Sequence, residues 1–337
     1  IGFYINASAR YILETVPEPT MGSTYGEWSV MDLLRGMYTG YDYINHIPNG
    51  YFDDYLERIE DYVEERNGLL DRNKSTEWAR LTLALSALGY DIRDVAGHDF
   101  VAQLTQSFSF SYRQGINGPI WEIISLNTGG YELYPPESLT LENPDDVNTF
   151  GKMIDYILLN EITQSDGTVG GWALEGNVPD TDITGMALQA FAPYYLDKDR
   201  YEETGATTSF EDFAMAVERG ILILDDLQRE NGGFDSWGTL NSESTVQVIV
   251  ALTAMDIDPL DDSIDLPYVG ETINFLTEGD YEDGVYSDNM IDALLAFWAP
   301  GSGSSPEVGG FKHVTTGFDG GGGAGTVVNA MATDQAL

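Results

Sequence analysis

Along the chain, apolar residues recur at helical spacing in two distinct ways. In one set of segments they occupy a single face. Between Asp53 and Arg66, Tyr55, Leu56, Ile59, Tyr62 and Val63 share one side and acids fill the other, which predicts a helix with one buried stripe. Comparable patterns cover 3–14, 148–160, 209–228 and 287–298, with a poorer match over 97–108. In the second set the apolar residues run nearly all round. Thr245–Met255 reads Thr-Val-Gln-Val-Ile-Val-Ala-Leu-Thr-Ala-Met. That run is too long and too rich in alanine for a strand, and it predicts a helix buried on both sides.

The all-round segments follow a repeated motif. Three stretches share a polar turn, Gly-Gly-aromatic, a short loop and then a helix rich in small apolar residues. The first runs Gly170-Gly171-Trp172, Asp182-Ile183-Thr184, Ala187-Leu188-Gln189-Ala190-Phe191. The second runs Gly232-Gly233-Phe234, Glu243-Ser244-Thr245, Val250-Ala251-Leu252. The third opens at Gly309-Gly310-Phe311 and reaches Asn329-Ala330-Met331-Ala332-Thr333-Asp334. Weaker copies start at Gly26-Glu27-Trp28, at Thr76-Glu77-Trp78 after the turn Asn67-Gly68, and at Asn117-Gly118-Pro119-Ile120-Trp121. Six units result, with a period of about 56 residues, in the range of helical repeat arrays. Six pairs of one-faced and all-round helices closing on themselves predict an all-α (α/α)6 toroid of about twelve helices, spanning 1–337 as a single domain. Its outer-to-inner connections would gather every Gly-Gly-aromatic loop and inner-helix N-terminus at one mouth.

Charge narrows the function. The 337 residues carry 56 acids against 15 Lys and Arg, a net charge of −41. Electrostatic capture of nucleic acid or anionic lipid needs clustered bases and is excluded. Insertion in a membrane is not expected, because no apolar run reaches the length of a span. With no cysteine, thiolate catalysis, disulfides and cysteine–zinc sites are absent. His46, His98 and His313 lie far apart in sequence. The chain opens at Ile1, as a processed or trimmed product would. The acid surplus suits a secreted or surface protein or a salty environment, and also simply keeps a large surface solvated.

Gly171-Trp172, Asn231-Gly232-Gly233-Phe234, Ser244–Leu252 and the terminal Asn329-Ala330-Met331-Ala332-Thr333-Asp334-Gln335 resemble the terpenoid-cyclase and prenyltransferase toroid superfamily. The nearest branch is that of Gram-positive surface proteins and the α-domains of cobalamin carriers such as transcobalamin and intrinsic factor. The resemblance covers essentially the whole chain and is strongest over 150–337. It implies an extracellular or cell-surface, monomeric, non-catalytic module that binds a corrinoid-like or isoprenoid-like small molecule at the mouth. It also implies a companion β-domain downstream and a last inner helix that stops early here. Zinc prenyltransferases and thioester modules of the superfamily need cysteine, so neither activity is expected.

The resemblance also supplies a competing enzyme reading. Class II terpene cyclases protonate their substrate with the middle acid of Asp-x-Asp-Asp-Thr-Ala. This chain has Asp180-Thr181-Asp182-Ile183-Thr184-Gly185, so Asp182 falls on the proton donor and Ile183 replaces the second acid of the pair. The simpler reading of Asp182 is an N-cap, shared with Glu27, Glu77, Glu243 and Asp334 near comparable helix starts. Carbohydrate-active (α/α)6 enzymes use paired carboxylates, and the abundance of acids leaves that option open. A structural or adhesion spacer with a filled centre is the remaining alternative.

For a ligand at the mouth, Trp28, Trp78, Trp121, Trp172 and Trp237, with Tyr131 and Tyr134, would supply aromatic contacts, or else anchor loops between helices. Asp180, Asp182 and Glu243 would add carboxylates; Gln247, with Asn117, Gln189, Asn241 and Gln335, would add amides or make ordinary caps. Structural calcium could sit at Asp256, Asp258, Asp261 and Asp262, or at Asp280, Glu282 and Asp283. Neither group has EF-hand spacing, and solvated acidic turns explain both. The segments Gly301–Pro306 and Gly317–Gly325 read as loops, and Gly320–Gly323 lacks the lysine of a phosphate loop.

Overall fold

A computed structural model of the chain describes residues 1–37, 40–140, 143–282, 285–301, 307–317 and 325–337. It is mostly helical. The α-helices are α1 (Gly2–Thr15), α2 (Glu27–Met37), α3 (Tyr51–Glu65), α4 (Thr76–Ala87), α5 (Phe100–Thr105), α6 (Phe108–Ser111) and α7 (Asn117–Gly129). They continue as α8 (Phe150–Leu159), α9 (Thr181–Tyr195), α10 (Lys198–Glu203), α11 (Phe210–Leu227), α12 (Ser242–Ala254), α13 (Met290–Leu295) and α14 (Ala330–Ala336). Each segment with the all-round pattern is a helix, namely α2, α4, α7, α9, α12 and α14.

Those six helices touch in a cycle: α2 packs on α4, α4 on α7, α7 on α9, α9 on α12, α12 on α14, and α14 on α2. The one-faced helices pack against members of the cycle, α8 on α7, α11 on α9 and α13 on α12, while α1 touches both α2 and α14. One continuous core runs from α2 to α12. In it the buried stripe of α3 (Tyr55, Ile59, Val63) belongs with Trp78, Leu81 and Leu85 of α4. A smaller cluster joins Ala9 and Ile12 of α1 to Leu33 and Ala330. The first and last helices are therefore packed together, helped by the Tyr11 hydroxyl on the Val328 carbonyl at 3.2 Å.

The repeated motif has one local architecture. Asp180, Asn241 and Asn329 cap α9, α12 and α14, accepting from the N–H of Ile183, Ser244 and Ala332 at 3.0, 2.8 and 2.9 Å. Such a cap satisfies a backbone donor that the helix cannot pair itself. The Gly-Gly turn brings the aromatic residue back over the helix start. Gly171 at φ +72° and Gly232 at φ +77° occupy the left-handed region, and a Cβ on Gly232 would press on the Asn289 backbone at 2.6 Å. Only glycine takes both demands without strain.

Two expectations need correction. The pattern over 287–298 forms only the short α13, because strands flank it. β-strand ladders pair Asp280–Glu282 with Val285–Ser287 before it, and Trp298–Pro300 with Gly309–Phe311 after it. The weak pattern over 97–108 is split in two. Asp99 caps α5 and Ser107 caps α6, and each new cap interrupts the run. Short antiparallel hairpins also pair Asp235–Ser236 with Thr239–Leu240 and Ile264–Leu266 with Glu271–Ile273. Strands of two or three residues are too short to leave a period-two pattern. The expected loops over 302–306 and 318–324, including Gly320–Gly323, lie outside the described residues.

Candidate ligand-binding site

A cavity of 680 Å³ lies among the six cyclically packed helices, bordered also by α1 and α13. Its wall is mainly apolar and aromatic. Met31 of α2, Leu83 of α4, Ile124 of α7, Met186 of α9, Val250 of α12 and Leu294 of α13 line it. Trp28 and Trp121 meet there with ring centroids 5.3 Å apart, and Tyr4 and Tyr43 add further ring surface. The helices that read as apolar all round therefore have one side in the core and another on the cavity. In α12, Val248, Ala251 and Leu252 are fully buried, while Gln247, Ile249 and Val250 are half-buried on the cavity wall.

Four carboxyls interrupt this wall: Asp32, Asp182, Glu243 and Asp334. Each has one buried oxygen without a hydrogen-bond partner, respectively Oδ2, Oδ1, Oε1 and Oδ1, and the Gln247 Nε2 is buried and unpaired as well. Asp182 is not the cap. It sits inside α9, two residues past Asp180, where helical backbone sends its side chain sideways instead of back over the free N–H groups. Burial pushes its carboxyl up to about 6; the Ser244 hydroxyl opposes that shift, and the charges of Asp180 and Glu243 reinforce it. Burial likewise pushes Asp334 up to about 7, against the Ser29 hydroxyl that donates to its Oδ2 at 2.8 Å. Asp32 is raised well above the usual carboxylate range by burial and by the Asp334 charge, with Arg35 opposing. Low local polarity disfavours the charged form, so these groups hold protons that free carboxylates would release. Glu243 Oε2 accepts from the Ser242 hydroxyl at 2.7 Å and lies 2.8 Å from His313 Nδ1.

The other helix-start acids are not caps either. Glu27 is buried and accepts from the Gly22 N–H through both oxygens at 3.0 Å. It also pairs with Arg80 Nε at 3.0 Å, while Arg80 Nη2 reaches Glu77 at 2.6 Å. One guanidinium thus ties the starts of α2 and α4.

The sequence-predicted aromatic set divides. Trp28 and Trp121 line the cavity. Trp78 and Trp172 are fully buried in the core instead. Trp78 meets Phe110 edge-on, and Trp172 donates from Nε1 to the Ile157 carbonyl at 2.8 Å. Trp237 stands 96% exposed at the tip of the 235–240 hairpin. There Trp237 and Gly238 both have positive φ, the conformation a two-residue turn requires. Tyr131 and Tyr134 lie away from the cavity; their hydroxyls donate to the Tyr90 carbonyl at 3.3 Å and to Asp99 at 2.8 Å. Gln189, Gln247 and Gln335 reach the cavity, whereas Asn241 is a cap, Asn117 only begins α7, and Asp180 caps α9 and accepts from Ser236.

Asp32, Arg35 and Met31 were missed. Asp32 did carry a signal, as an acid embedded in the apolar run Val30-Met31-Asp32-Leu33-Leu34. Among the described residues no group of three or more His, Asp or Glu side chains is placed to hold a metal ion. In the Asp256–Asp262 segment, Asp258 accepts from the Leu260 N–H in an ordinary acidic turn. Asp283 and the side chains of Asp280 and Glu282 lie outside the described residues. No described helix is long and apolar enough to cross a membrane. The sequence matches no protein-family model, and comparison with curated proteins and with solved structures finds no match.

Proposed function

We propose that the chain is an (α/α)6 toroid that binds an isoprenoid-like small molecule in its central cavity, as a secreted or cell-surface module. The observation that carries this reading is the 680 Å³ cavity bordered by six helices in cyclic contact. Its size falls within the roughly 300–1,000 Å³ of small-molecule sites, and a mainly apolar wall with a few convergent polar groups is what such sites share. An open volume of this kind also argues against a spacer with a filled centre. A corrinoid, with its broad amide-fringed macrocycle, would lie across the mouth; a flexible apolar chain suits the interior.

A second reading is favoured by one observation. Asp182 lies on the cavity wall with an unpaired oxygen and a carboxyl held partly protonated near neutral pH, the condition a general acid needs. Native mass spectrometry against geraniol, farnesol, longer polyprenols and a corrinoid separates these readings. Retention of a prenol supports the interior site, and retention of the corrinoid alone moves the site to the mouth. If neither is retained, the binding reading falls. Chromatographic detection of a cyclised product from a retained prenol, lost in Asp182→Asn, would convert the module into an enzyme.

A further inference from the structure

We infer that the cavity is built for an organic cation, a ligand with an apolar body and one ammonium group. This inference rests on the interior-site reading above and names its ligand chemistry. Three observations converge on it. First, the wall carries carboxyls from four different helices: Asp32 of α2, Asp182 of α9, Glu243 of α12 and Asp334 of α14. Against them, Arg35 is the one basic side chain lining the cavity among the described residues. Second, Glu243 and Asp334 are more than nine-tenths buried, and each retains an oxygen with no hydrogen bond. A buried polar atom left unpaired is costly, and an ammonium placed among these oxygens would relieve that cost. Third, the Trp28–Trp121 pair stands on the same wall. Indole faces attract cations, more strongly as water is excluded.

Anionic ligands fit poorly. A phosphate or carboxylate would meet four acids and one base. A neutral prenol would use the apolar wall and leave the carboxyls as they are. The net charge of −41 adds long-range attraction for cations, so specific capture has to be separated from general attraction to an acidic surface.

Geranylamine and geraniol share one carbon skeleton and differ by one charge at pH 7, because an alkylammonium has a pKa of about 10. Titration calorimetry with both, in salt high enough to screen the surface, tests the inference. The expected result is one saturable site that binds geranylamine about tenfold tighter than geraniol, with geraniol displacing the amine in competition. The Asp32→Asn, Asp334→Asn double variant should bring the amine-to-alcohol affinity ratio close to one. Equal or tighter binding of geraniol overturns the cation inference and leaves the apolar cavity reading intact. Amine binding that geraniol does not displace, or a ratio unchanged in a folded double variant, places the amine elsewhere and also overturns it. The wild-type ratio and competition stand as the test if the double variant does not fold. If neither probe binds, both readings fall together.

Discussion

The Thr184 hydroxyl is bound to both ends of one residue: it accepts from the Trp172 backbone N–H at 2.9 Å and lies 3.1 Å from the Trp172 carbonyl oxygen. Thr245 accepts from the Phe234 N–H at 3.1 Å, and Thr333 from the Phe311 N–H at 3.0 Å. In these three copies the threonine lies four residues after the cap, at Asp180, Asn241 or Asn329. One hydroxyl thus staples each aromatic loop to the helix it precedes. Thr184→Val keeps the shape and removes the hydroxyl, leaving a buried N–H unpaired. A loss of about 1–3 kcal/mol is expected in denaturant unfolding, largely restored in Thr184→Ser.

Arg80 holds Glu27 out of water. Arg80→Met would leave that buried carboxylate without its cation, at a cost of about 3–5 kcal/mol. Adding Glu27→Gln should recover much of the loss. A double variant no more stable than Arg80→Met would show that Arg80 acts by packing alone.

Glu122 is fully buried. Its Oε2 accepts from Ser111 Oγ at 2.8 Å and Asn148 Nδ2 at 2.9 Å. Burial pushes its pKa from 4.5 up to about 7, only partly offset by hydrogen bonds from Ser75, Ser111 and Asn148. Between those two values the unfolded chain releases a proton that the folded chain keeps, so stability falls as pH rises and levels off above about 7. The expected loss is about 3 kcal/mol. In Glu122→Gln the pH 5 to pH 8 decline in unfolding free energy should shrink by that order, and an unchanged decline would rule the group out.

Trp28 and Trp121 are half-buried on the cavity, whereas Trp237 is exposed on a hairpin tip. Trp28→Ala should weaken prenol or prenylamine binding by about tenfold or more, since an aromatic contact of this size contributes about 1–2 kcal/mol. Trp237→Ala should leave binding within error. Fluorescence titration of the two variants decides between the cavity and the hairpin face.

The longer helices were legible in the sequence because they follow from local periodicity, and the two kinds of apolar pattern already separated the one-faced helices from the six that touch in a cycle. The repeated motif was legible too, but its caps were misassigned. Asp182 and Glu243 attract attention as acids, yet the cap must come from an extended residue ahead of the first turn, which is Asp180 or Asn241. Tertiary structure alone decided the rest. Trp28, Trp78 and Trp121 all sit near helix starts in sequence, and which of them meets the cavity depends on how far each helix is rotated against its neighbours, whereas Trp172 stands in the loop ahead of α9 and folds into the core. Asp334 meets Ser29 across 305 positions of chain, and its carboxyl becomes a buried acid only because the last helix closes against the first. Such a pairing leaves no periodic trace, since burial there belongs to the closed cycle and not to either segment.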